Sequence, residues 1–182
     1  MNRVILTPAE LPTSALAELK QWLGVTTARD DAPLAALLAA ALETCEAFTG
    51  RMPLVAVCEQ ILPATTGWQS LATRPVQAIT VVEGIAADGA RLALPAGSYE
   101  IDLDADGTGR VCLSSSTAAR KAAVRFKAGL AEDWDSLPDG LRQGMIRLAA
   151  HQHRERDTSG AAPLPPASVA ALWRPWRRMR LT

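Results

Sequence analysis

The chain has 182 residues, 48% of them hydrophobic and 21% charged, with a formal net charge of zero. That is apolar enough for a packed core, excludes a disordered polypeptide, and leaves room for one domain or one domain carrying an inserted subdomain. The charge is polarised: from residue 141 onward eight arginines face only Glu155 and Asp157, a balance of +6, so the first 140 residues carry −6, the pattern of an acidic body with a basic tail that seeks an acidic surface.

In chain order, the opening residues Met1 to Leu11 hold a short apolar stretch that meets Pro8 and Glu10, too brief for a signal peptide. No apolar run approaches the roughly 18 residues of a membrane span, so a soluble protein made in the cytosol is expected. A first helix is predicted from about Ala15 to Leu23: Leu16, Leu19 and Leu23 form a stripe with Trp22 at its edge. Thr13 or Ser14 can cap it, and Gly24 can end it. A longer helix is predicted from about Pro33 to Phe48. Asp30 and Asp31 suit the positive end of its dipole and Pro33 its first turn, while Leu34, Leu38, Ala41 and Cys45 recur at helical spacing until Gly50.

From Met52 the period shortens. Strands are predicted at Leu54–Leu62, Val76–Ile85, Arg91–Leu94, Ser98–Asp102, Arg110–Leu113 and Ala122–Phe126, separated by Gly- and Asp-containing turns, which points to an antiparallel sheet or small barrel. A further helix is predicted from Leu137-Pro138-Asp139 to about Arg156, through Leu141, Met145, Leu148 and Ala149. Asp157 to Pro166 then reads as an extended or mobile linker, and from Ser168 to Leu181 the chain turns apolar and aromatic again.

Few residues suggest chemistry. Asp102 to Gly107 copies the opening of a calcium-binding loop, but its twelfth position, where a bidentate glutamate is needed, is Leu113, so a polar β-turn is the better reading. His151 and His153 stand two apart on a helix and cannot share a metal as an i, i+4 pair does. Ser114 to Ser116 lacks the turn that presents a nucleophilic serine. Cys45, Cys58 and Cys112 are odd in number, in apolar surroundings and far apart, as buried thiols are. No catalytic residue, metal or cofactor is expected. The stretch Trp173-Arg174-Pro175-Trp176-Arg177-Arg178-Met179-Arg180 is different. It can fold back on the chain's own core, bind nucleic acid through arginine and aromatic groups, or anchor in a groove of a partner protein, where tryptophan and arginine dominate binding energy. The last is preferred.

Taken together, Leu19 to Val25, then Asp30-Asp31 and Leu34, and the helix closing Glu46-Ala47-Phe48-Thr49-Gly50-Arg51 resemble the opening of phage head–tail connector (adaptor) proteins. Ser98 to Asp102 followed by Gly109-Arg110-Val111 is similar to that family's β insertion, and Leu137 to Gln143 with Ala149-Ala150-His151 to its second helical part. The ending Ala171 to Arg178 resembles the longer branch with a C-terminal tail, above all the adaptors of gene transfer agents. The resemblance implies an α+β fold: a small helical bundle of two N-terminal helices plus a later one (residues 1–51 and 129–157), an inserted antiparallel β-rich subdomain (52–128), and a linker with an extended tail (158–182). It also implies a structural protein of a tailed phage or gene transfer agent particle, assembled in the bacterial cytoplasm and placed at the head–tail junction. There it would form a ring of about twelve copies between the capsid portal and the next tail component, a stopper or tail terminator. DNA would pass through the lumen without sequence-specific binding, and no membrane would be involved. The residues expected to bind the portal are Leu172, Trp173, Arg174, Trp176, Arg177, Arg178 and Arg180. A small nucleic-acid-binding protein working through the same tail is the alternative.

Overall fold

A computed structural model describes residues 3–114, 119–155 and 165–177. The chain divides into two compact units, one of residues 1–9 with 55–130 and one of residues 10–54 with 131–182. The fold is α+β, with antiparallel sheets in the first unit and helices in the second.

The first unit holds eight strands: β1 (Arg3–Thr7), β2 (Ala56–Pro63), β3 (Trp68–Ser70), β4 (Val76–Ile85), β5 (Arg91–Ala93), β6 (Tyr99–Leu103), β7 (Gly109–Leu113) and β8 (Lys121–Ala128). Five form a sheet in the order β1-β2-β8-β4-β5, and three form a smaller sheet in the order β3-β7-β6. Strand β8 lies at the centre, where Ala122, Ala123 and Val124 are all buried in succession. Such a run without alternation marks a strand covered on both faces. Cys58 of β2 stands opposite Phe126, and Val82 of β4 opposite Val124. In the smaller sheet Val111 and Leu113 are buried on alternate positions, as one covered face requires.

Two of these strands have no counterpart in the residue pattern. One is β3; the other is β1, whose residues, expected with the helices, cluster instead with the sheets by pairing along β2. The Asp102–Gly107 segment closes the β6–β7 hairpin as a turn. The Asp104 carbonyl accepts from the Gly107 amide at 2.9 Å, and the Thr108 amide donates to the Asp106 side chain at 2.9 Å. Gly107 sits at φ +80, and a β-carbon there would come within 2.4 Å of Pro75.

The second unit holds α1 (Thr13–Leu23), α2 (Asp31–Thr49), α3 (Asp139–Glu155) and α4 (Ala167–Trp173), the last running into a 3-10 turn at Arg174–Trp176. Helix α1 begins earlier than expected. Pro12 occupies the N-cap, and no side chain caps the helix there, because Thr13 is already helical. Its C-terminus is closed by Gly24 at φ +72, with the Gly24 amide donating to Gln21 and that of Val25 to Lys20, the paired bonds a left-handed glycine permits. Lys20 then meets Asp31 of α2 at 2.6 Å.

Helix α2 has 19 residues with a mean hydropathy of 1.3, so by length and composition it could cross a membrane. Leu34, Leu38, Ala41 and Cys45 are instead buried in protein. Its outward face is largely alanine (Ala32, Ala35, Ala36, Ala39, Ala47) with Glu43. These small side chains leave little apolar area in water, so their exposure costs little. Leu19 of α1 and Leu141, Met145 and Leu148 of α3 complete the core with Trp134.

Candidate interaction surface

The C-terminal segment takes the place expected for a tail, but between Ala167 and Trp173 it is helical and packed. Helix α4 has the sequence ASVAALW, with Val169 and Trp173 four residues apart on one side and both buried. Helix α3 accommodates them through Gly140 and Gly144, one turn apart. A β-carbon on Gly140 would stand 3.4 Å from the Leu172 carbonyl oxygen. The Trp173 indole lies against the backbone at Gly144, and its N–H donates to the Leu141 carbonyl at 3.3 Å. Phe48 of α2 flanks the same indole, with ring centroids 6.0 Å apart and planes tilted by 50°. Such tilted pairs are favoured by the ring quadrupoles.

Of the residues expected to bind the portal, Trp173 is therefore part of this unit's own core. Its burial follows from the stripe it shares with Val169: two apolar side chains on a seven-residue helix are satisfied by the nearest glycine-lined surface. Leu172 and Trp176 are half-buried, and Arg174 and Arg177 are exposed. The Arg177 guanidinium stacks over Phe48 at 5.3 Å. Arg178 and Arg180 lie outside the described residues. The structure thus brings Leu172, Arg174, Trp176 and Arg177 to one short segment, with Trp173 as the pin that fixes it to α2 and α3.

A second aromatic and cationic surface stands on the same unit and was not singled out from sequence. Arg147 of α3 lies over the Trp22 ring at 5.5 Å. Arg147, His151 and Arg154 line a shallow groove with Trp22 and Val169. Their spacing of four and three residues along one helix face is the signal that could have revealed it. His151 is half-buried, with Nε2 3.0 Å from the Glu155 carboxylate.

In the sheet unit the densest charge cluster centres on Glu59. Arg91 grips it with two guanidinium nitrogens at 2.8 and 2.9 Å, and Arg125 approaches to 3.6 Å. The bidentate bond from Arg91 holds the Glu59 carboxyl below its ordinary value of 4.5, with the charges of Arg91 and Arg125 adding to the effect against the cost of burial. Both arginines pair with Glu59, and Arg91 also reaches Glu83 at 3.5 Å, which is the behaviour of a cross-strand brace. Cys45, fully buried in α2, has its thiol pushed up to about 12 by burial, with the nearby Glu46 charge adding to the rise. Among the described residues no three His, Cys, Asp or Glu side chains converge as a metal site would need.

No protein-family model and no curated protein matches the chain. Solved structures do, across almost its entire length. One is the neck of an empty gene transfer agent particle computed with C6 symmetry, at 25% identity and a TM-score of 0.77, covering 98% of this chain and 97% of that one. Another is the virion of the native particle, at 26% identity and a TM-score of 0.77, covering 100% and 98%. A third is the neck of the native particle computed with C12 symmetry, at 26% identity and a TM-score of 0.75, covering 98% and 97%. From end to end, in sheets and helices alike, the chain is similar to components of gene transfer agent particles, in the neck and in the virion.

Proposed function

We propose that the protein is a structural component of the neck of a phage-like particle, located at the head–tail junction, where it forms a ring that joins the capsid portal to the tail and lets DNA pass. The observation that carries this reading is the end-to-end match of both units to components of particle necks. A match confined to the sheets or to the helices would speak only for a common fold.

The C-terminal segment supplies the portal contact in this reading. Arg174 and Arg177 are exposed beside half-buried Leu172 and Trp176, a combination of cation and aromatic that suits an interface anchor. Repeated around a ring, even a weak contact of this kind gains from multiplicity. On its other side the ring meets the next tail component, a stopper or tail terminator. DNA passes through the lumen without being read in sequence.

The test is the mass of the full-length protein mixed with the portal protein encoded with it. About one copy added per portal subunit is the expected result. A protein that stays monomeric, ignores the portal and binds duplex DNA with a steep salt dependence would overturn this reading in favour of a nucleic-acid-binding role.

A further inference from the structure

Strand β1 has the composition of a buried strand and the exposure of a surface one. Val4, Ile5 and Leu6 are 58%, 41% and 44% exposed. Successive side chains of a strand point to opposite faces, so this apolar exposure falls on both faces of β1. Beyond it, among the described residues, the five-stranded sheet has no further strand. Natural edge strands are usually guarded against pairing by charge, proline, a bulge or a cover; the Val4-Ile5-Leu6 run has no charge and no proline, and its one irregularity is the register shift between Ile5 and Thr7.

The smaller sheet has a matching vacancy. Its edge strand β6 pairs Ile101 with Val111 and Leu103 with Gly109 of β7. Residues directly opposite each other share a face, so Ile101 lies on the same side as buried Val111. Ile101 and Leu103 are nevertheless 42% and 44% exposed, because among the described residues no strand pairs beyond β6. The remaining edges, β3 and β5, are only three residues long, and Arg91 of β5 is committed to Glu59.

Charge chooses between the pairings. Strand β6 carries Glu100 and Asp102 and no cation, whereas β1 carries Arg3 and no carboxylate. Two β6 edges set side by side would bring carboxylates against carboxylates, which destabilises a ladder. A β1 edge against a β6 edge avoids this and matches five residues with five.

We propose that β1 of one copy adds to the free edge of β6 in the next copy, extending the three-stranded sheet by a strand from its neighbour. This rests on the ring reading above. A contact between two different surfaces of the same chain propagates from copy to copy and can close into a ring, whereas β1 against β1 would stop at a dimer.

Ile5 and Ile101 are the third residues of their five-residue strands, so a pairing centred on both strands sets them opposite each other whether the strands run parallel or antiparallel. The test is the full-length protein carrying Ile5→Cys and Ile101→Cys, with Cys58→Ala and Cys112→Ala to prevent pairing within the chain, assembled on its portal and mildly oxidised. A reducible ladder of species larger than dimers, absent from either single cysteine variant, is expected. Dimers from the Ile5→Cys variant alone would show β1 meeting β1 and overturn the proposal. A ring seen by native mass without any ladder would overturn it while leaving the ring reading intact. A parent protein that forms no multi-copy species on the portal would remove both. If the quadruple variant does not fold, Val4→Lys, at a position 58% exposed on the same strand, decides the matter: ring assembly should be lost with the melting temperature unchanged, and normal assembly would count against the proposal.

Discussion

A β-carbon placed on Gly144 would lie 2.1 Å from the indole nitrogen of Trp173. The missing side chain is what lets the tryptophan rest on the backbone of α3 and reach the Leu141 carbonyl. In an open helix, alanine would be the better residue by about 1 kcal/mol. Here the contact outweighs the propensity, so Gly144→Ala is expected to destabilise the protein by roughly 1–3 kcal/mol through overpacking. Urea unfolding followed by tryptophan fluorescence checks this. A midpoint that rises, as propensity alone dictates, would show that α4 is not docked at this place.

Glu59 makes a pH-dependent contribution. Its carboxyl is held below 4.5 in the folded protein, so the folded state binds that proton less readily than the unfolded chain. The associated stabilisation is fully present above the ordinary carboxylate value and fades as pH falls through the lowered folded value. Glu59→Gln removes the charge and one of the two acceptor oxygens that the arginines share and is expected to cost about 1–3 kcal/mol at neutral pH. Thermal midpoints of parent and variant should therefore converge as the solution is acidified from pH 6 toward pH 3. Two parallel curves would mean that the brace contributes no charge-dependent stability.

Cys45 should be silent toward thiol reagents in the native state. The reactive form is the thiolate, and burial pushes this thiol up to about 12, so both access and ionisation are withheld. Its labelling at pH 8 should require opening of the helical unit and accelerate in urea in step with unfolding. Rapid labelling of Cys45 without denaturant would place it outside the core.

The ease with which these features can be read from the residues varies for physical reasons. Helix α2 announces itself, because Leu34, Leu38, Ala41 and Cys45 repeat over about three turns and Gly50 stops the run at φ +70. The turn at Asp102–Gly107 is equally plain, since Leu113 removes the oxygen a calcium loop needs. Strand β1 is not legible: five residues without alternation give no period to detect, and the strand they pair with, β2, lies fifty or more positions away. The fate of Trp173 is ambiguous for another reason. An apolar stripe on a short helix says that the stripe must be covered and does not say by whose surface. The deciding signal is the Gly140–Gly144 pair on a different helix, which acquires meaning only once α3 and α4 are side by side.

That ambiguity gives a way to separate the roles of neighbouring residues in the C-terminal segment. Trp173 is buried and Arg174 and Arg177 are exposed, so their substitution should affect different measurements. Trp173→Ala empties a core site and is expected to cost about 3–5 kcal/mol; it should lower the urea midpoint, and any loss of portal attachment should follow that loss of structure. Arg174→Glu with Arg177→Glu changes exposed charge and gives up the stacking of Arg177 on Phe48, so its cost in stability should stay within about 1 kcal/mol. Reversing two cations at an interface that complements them weakens association and alters its salt dependence. The double variant should therefore stay folded, with a melting temperature far closer to the parent's than that of Trp173→Ala, yet add to the portal at least tenfold more weakly by titration, with the deficit reduced in high salt. Parent-like attachment of this folded variant would take the portal contact away from the C-terminal arginines and leave Trp173 a purely structural residue.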